Sequence, residues 1–180
     1  MIQRLKTKQK GFTIIEVMIV LAIAGLILLI VFLAVPALQR AQRNTGRKED
    51  AGRFVTAFQD FISNSSGNLP GQVNGASNGA FNSTQAKTDC SSIKSDAGTL
   101  NQYTNLSCGT ALGPNQMIIS DASSSGTVSS SAPTGNEVEF VENAKCSGTS
   151  SYSYSNIQQQ AVLFYSLETG GGYAWACENA

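Results

Sequence analysis

Histidine is absent from all 180 residues, and only 13% of them are charged. Without an imidazole the Ser-His-Asp and Cys-His catalytic sets cannot be assembled, and no metal site can use a histidine ligand. Cysteine is scarce: Cys90, Cys108, Cys146 and Cys177 are the four. No two of them stand in C-x-x-C spacing, which argues against a zinc ribbon and against a redox motif. Arginine stops at Arg53. From Phe54 onward three lysines (Lys87, Lys94, Lys145) are set against nine acids (Asp60, Asp89, Asp96, Asp121, Glu137, Glu139, Glu142, Glu168, Glu178). That acidic balance gives the region no bulk electrostatic grip on nucleic acid, so no direct binding is expected. These absences leave a structural or binding protein rather than an enzyme, with no cofactor expected.

Charge is missing in one further place, and there the absence is continuous. Val17 to Leu38 contains no ionisable side chain, long enough to cross a bilayer as a helix, which takes ~20 apolar residues. A single carboxylate, Glu16, stands at its start, and Arg4, Lys6, Lys8 and Lys10 precede it. An ordinary secretory signal has an apolar core of about 7–15 residues followed by a small-residue cleavage site. This core is longer, and cutting at its weak candidate, Ala34-Val35-Pro36-Ala37, would discard the apolar segment altogether. The positive-inside rule does not orient the span, because Arg40, Arg43, Arg47, Lys48 and Arg53 follow it on the far side. The cysteines and the polarity of the later chain place that part outside the cytoplasm and the amino terminus inside.

The helical pattern continues past Leu38. Ala51, Phe54, Val55, Phe58, Phe61 and Ile62 recur at i, i+3, i+4, i+7 spacing, an amphipathic stripe. One helix over Phe12–Ile62 is predicted, apolar all round at first and apolar on one side later. Pro36 should kink it. Residues 63–115 are rich in Gly, Ser, Asn and Thr, with sparse anchors at Leu69, Val73, Phe81, Ile93, Leu100, Tyr103 and Leu106. Short helical turns are expected around Gln85–Leu106. Strands are read at Gln116–Ser120, Glu137–Cys146, Gln160–Glu168 and Tyr173–Cys177, with Thr169–Gly172 as a hairpin connection and Ser123–Thr134 as a loop. In Glu137–Cys146 the alternation puts Val138 and Phe140 on one face, Glu137 and Glu139 on the other. One long helix followed by strands gives an α+β fold, a small antiparallel sheet covering the stripe. The divisions are a basic leader 1–11, a transmembrane helix 12–38, an amphipathic helix 39–62, and a head 63–180 whose sheet region begins at 116.

An even cysteine count in a small, polar, extracytoplasmic domain reads as two disulfides. Three connectivities exist. Cys90–Cys108 and Cys146–Cys177 are favoured, since each joins segments that are neighbours in this layout.

Gly11-Phe12-Thr13-Ile14-Ile15-Glu16 behind a basic leader and ahead of an unbroken apolar helix resembles the class III signal of type IV prepilins and the related pseudopilins. The resemblance covers the first quarter to third of the chain. It implies cleavage after Gly11 by a prepilin peptidase and N-methylation of the new terminus, Phe12. Removal of the leader would take the basic residues from twelve to eight against twelve acids. It further implies a precursor in the inner membrane, an assembly platform with its ATPase, and a homo-oligomeric helical filament at the cell surface serving adhesion, twitching motility or DNA uptake. A pseudopilin of a type II secretion system, or a minor pilin, is the near alternative. A single-span anchored binding domain is the distant one. The head layout matches type IV pilin heads, where a C-terminal disulfide often staples the last loop, the part Cys146–Cys177 would play. The chain departs from the family in placing its helix proline, Pro36, later.

Glu16 is the sharpest residue, because a carboxylate in an apolar span is expensive and is usually paired. After cleavage it would neutralise the Phe12 amine of a neighbouring subunit, as the resemblance also implies. Arg40, Arg43 and Arg47 share one helical side. They suit either anionic headgroups or acidic surfaces of neighbouring subunits. Glu49 and Arg53 are spaced as a solvated helix pair. Trp175 and Tyr173 are assigned to core packing, and Glu137, Glu139 and Glu142 are given no cation.

Overall fold

The computed structural model describes residues 11–72, 81–128, 132–155 and 160–180. The basic leader before Gly11, the anchor Val73 and part of the Ser123–Thr134 loop lie outside them. The chain divides into two units, Met1–Gln39 and Arg40–Ala180.

Helix α1, Ile14–Asn64, begins in the first unit and ends in the second. It runs through Pro36 without a break. Its start is fixed by a Thr-x-x-Glu capping box. The Thr13 N–H and hydroxyl both donate to Glu16 Oε2 at 2.8 Å, and the Glu16 N–H donates back to Thr13 Oγ1 at 3.3 Å. In the first unit the large apolar side chains are all exposed, from Phe12 to Leu38.

In the second unit α1 buries Gly46, Arg47, Asp50, Ala51, Phe54, Ala57 and Phe58, a stripe at the helical period that starts a full turn before the apolar pattern does. Phe58 stacks on Phe140 with centroids 4.8 Å apart, and Phe54 tilts against Tyr103 at 6.2 Å. Helix α2, Ser83–Asp96, is one element where only short turns are expected. The Asn82 side chain caps it, accepting from the N–H groups of Thr84 and Gln85. Ala86, Asp89, Cys90 and Ile93 form its buried side.

The main sheet holds β1 (Ser107–Cys108), β2 (Gln116–Asp121), β4 (Glu137–Glu142), β7 (Ala161–Thr169) and β8 (Gly172–Asn179), in that spatial order. The α+β class holds, but the sheet is mixed. β1–β2 and β2–β4 are parallel, β4–β7 and β7–β8 antiparallel. A second sheet, of β3 (Gly126–Thr127), β5 (Ala144–Cys146) and β6 (Ser151–Tyr154), has the order β3-β6-β5. β3 lies inside the segment read as a loop, and the chain between β2 and β4 passes through this second sheet. That crossover is what allows β2 and β4 to run parallel.

Two hydrophobic clusters follow. Met117, Ile119, Val138, Phe140, Leu163 and Tyr165 pack with α1 and α2. Val141, Val162, Phe164 and Trp175 pack on the other face with Ala122, Val128 and Ala144. The main sheet is therefore covered on both sides. β4 is buried at all six positions, and the carboxylates of Glu137 and Glu139, set apart from the apolar face by alternation, are interior. The strand read as Glu137–Cys146 breaks at Asn143, whose φ is +54°. Asparagine tolerates this left-handed conformation, and the kink sends β5 into the second sheet.

Candidate functional site

Two constellations carry the chemistry: the amino-terminal end of α1, and a polar joint between α1 and the β7–β8 hairpin.

At the first, Gly11, Phe12 and Thr13 precede the helix. Phe12 is 90% exposed, and no heavy atom comes within 4 Å of where a Cβ on Gly11 would lie. The glycine thus leaves an open backbone between the leader and the rod. Glu16 is exposed, with Oε2 occupied by its own helix cap. The same carboxylate that the sequence marks as costly in an apolar span also accepts the Thr13 N–H and hydroxyl at the helix start, where a negative charge suits the helix dipole. Thr13 therefore has a role in placing Glu16 that only the Thr-x-x-Glu spacing could have signalled.

At the second, the sequence puts Arg40, Arg43 and Arg47 on one helical side, and the structure separates them. Arg43 holds Glu168 from its Nε, at 2.9 and 2.8 Å to the two carboxylate oxygens, and from a terminal nitrogen at 2.7 Å. Arg47 reaches the same carboxylate at 3.1 Å and also donates to the Ser166 carbonyl and hydroxyl. Its guanidinium lies over the rings of Tyr103 and Tyr173, 5.4 and 5.3 Å from their centroids, a cation–π arrangement. Arg47 is only 3% exposed. Its charge is turned into the head, because burial requires it to be paired within the fold. Arg43 is half-exposed but engaged with Glu168. Arg40 alone of the three has no ion pair among the described residues.

Asn44 completes the joint. Its Nδ2 donates to the Glu168 carbonyl, and the Glu168 N–H donates to its Oδ1, both at 2.8 Å. The amide side chain imitates a neighbouring strand beyond the end of β4. Hydrogen bonds from Arg43, followed by those from Arg47, hold the Glu168 carboxyl below the usual carboxylate range.

One turn further along α1, the carboxylate of buried Asp50 accepts the N–H groups of Asn101, Gln102 and Tyr103, at 2.6 to 3.1 Å. Tyr103 in turn donates its hydroxyl to the Ser166 carbonyl at 2.7 Å. The sequence does not single out Asn44, Asp50 or Ser166, and it marks Tyr103 only as an apolar anchor. A carboxylate beside Ala51 on an otherwise apolar stripe was the one available signal. Glu49 and Arg53, spaced as a helix pair, turn instead to Asn101 Nδ2 and the Thr99 carbonyl.

The disulfides are Cys90–Cys108 and Cys146–Cys177. The first ties α2 to β1, and the second ties β5 of the small sheet to β8 of the main one. Trp175 is buried beneath the small sheet, while Tyr173 lies on Arg47. Among the described residues no group of three or more Cys, Asp or Glu side chains is placed to hold a metal ion.

Comparison with known proteins adds one finding and two negatives. Neither the curated proteins nor the solved structures contain a significant match. The amino-terminal stretch does match a family model: residues 6–32 match the prokaryotic N-terminal methylation motif, the class III signal of type IV pilins, and the motif with the apolar helix behind it fits a pilin-like or pseudopilin-like protein made as a membrane-anchored precursor.

Proposed function

We propose that the chain is a structural subunit of a type IV pilus, cut after Gly11, methylated on Phe12, and polymerised through its amino-terminal helix into a surface filament. The observation carrying this reading is the methylation motif at residues 6–32 overlapping a helical rod whose large apolar side chains are all exposed from Phe12 to Leu38. A helix that is apolar all round needs lipid or other helices around it. The precursor would use lipid, with residues 1–11 in the cytoplasm and 12–38 spanning the membrane. The filament would use copies of itself.

Cleavage creates a positive amine on Phe12. Inside a bundle of apolar helices an unpaired charge is costly, and Glu16 of an adjacent subunit is the group that would neutralise it. The pairing fixes the axial register, since any other stagger leaves two charges unpaired. Glu16 would then leave its own cap for the neighbour's amine. The head, residues 63–180, would form the outer surface, its disulfides made outside the cytoplasm.

Intact mass and amino-terminal sequencing of material sheared from producing cells test this. The expected product starts at N-methyl-Phe12 and is lighter than its reduced form by the hydrogens of two disulfides. Processed protein confined to membranes would replace the pilus subunit with a pseudopilin or minor pilin. A chain still starting at Met1 would remove the filament altogether.

A further inference from the structure

A second polar group sits inside the head, away from the α1–hairpin joint. Asp121 and Glu142 are direct partners across the parallel β2–β4 ladder. Asp89 lies on α2, which packs on β2, and its charge acts on Glu142. Three carboxylates thus share one corner, and like charges placed opposite each other across a ladder are destabilising.

Hydrogen bonding distinguishes them. Asp89 accepts the Gly71 N–H at 2.7 Å and the Gln85 side-chain amide at 2.8 Å, so its charge is satisfied. Asp121 accepts from Asn143 Nδ2 at 2.7 Å and is open to solvent. Glu142 is 1% exposed, and its Oε1 has no hydrogen-bond donor. On its other side β7 presents Ala161, which carries no charge. Among the described residues the charges that act on Glu142 are those of Asp121 and Asp89, with no lysine or arginine among them. A buried carboxylate with an oxygen left without a donor is far costlier than a neutral acid.

We propose that Glu142 is carried protonated in the folded head, a neutral acid seated beside Asp121 and Asp89, so that alkali rather than acid loosens the α2–β2–β4 corner. Burial first, and then the charges of Asp121 and Asp89, push its carboxyl up to about 9. In the unfolded chain the group ionises in the ordinary glutamate range, so the folded head binds a proton that the unfolded chain releases. Stability from this group is complete below about pH 4.5 and is lost progressively as pH rises to about 9. The Cys90–Cys108 bridge keeps α2 attached to β1, so ionisation loosens the corner without freeing the helix.

Thermal unfolding of the full chain in detergent reads this out. Between about pH 5 and pH 8 the wild-type midpoint is expected to fall by roughly 5–10 °C relative to Glu142→Gln. Asp121→Asn should shrink the wild-type decline, because one repelling charge is gone. Parallel pH profiles for wild type and Glu142→Gln would overturn the proposal. If that variant fails to fold, the side-chain carboxyl of Glu142 can be followed by carbon NMR in the wild type. A titration step in the alkaline range supports the neutral acid, and a step near pH 4–5 sinks it.

Discussion

The two units of this chain treat apolar surface in opposite ways. From Phe12 to Leu38 the large hydrophobic side chains are all exposed, whereas in the head only Tyr154 is, among the described residues. The head encloses its core between α1, α2 and two sheets and ties both layers with disulfides. The rod encloses nothing and has only its helical hydrogen bonds and one capping box. The head can thus be stable alone, and the rod is complete only in lipid or among other helices. Damage to each should appear in a different measurement.

The two largest effects form a matched pair, one in each unit. Leu29→Arg puts a charge at the middle of the apolar run, roughly 2.5–3.5 kcal/mol against insertion. The protein should leave the membrane fraction while the fluorescence of its single tryptophan, Trp175, is unchanged. The mirror experiment is Phe58→Ala, which opens a cavity against Phe140. It should cost about 3–5 kcal/mol in denaturant unfolding of the head with no loss of membrane retention. If either substitution disturbs both readouts, the units are not independent.

Smaller is Glu168→Gln, which leaves the Arg47 guanidinium buried beside a neutral amide, at about 2 kcal/mol. It also has a pH signature. The Glu168 carboxyl is held below its ordinary range, so its contribution is full above about pH 4.5 and fades as pH falls through the lowered value. Wild type should lose stability on acidification there, and Glu168→Gln should not show that loss. The smallest is Asn82→Ala, which removes the α2 cap at about 1 kcal/mol. Amide exchange should quicken in the first turn of α2 alone.

Much of this was legible beforehand because the signals are local. An uncharged apolar run is visible without partners, and so are the Phe54–Phe58 stripe and the Gly-rich connection between β7 and β8. The cysteine pairs also agree with the layout read from the chain. What stayed hidden depends on residues far apart in sequence. Arg43 and Arg47 look like surface cations until Glu168, more than a hundred residues on, pairs with both and Arg47 is buried. Glu137 and Glu139 look like the wet face of a strand until the fold buries them, with hydrogen bonds from Thr134 and Ser120. The left-handed turn at Asn143 divides what alternation reads as one strand, and a parallel β2–β4 pair needs a crossover that no local pattern announces.

The amino-acid sequence by itself determined the class III signal, the helix that follows it, and the acidic, disulfide-bearing character of the head, because composition and short-range spacing decide those. Only the tertiary structure decided which charges are paired and which carboxylate lies between two others without a donor. Those outcomes depend on solvent exclusion and on hydrogen bonds between distant segments, and both exist only after the chain has closed on itself.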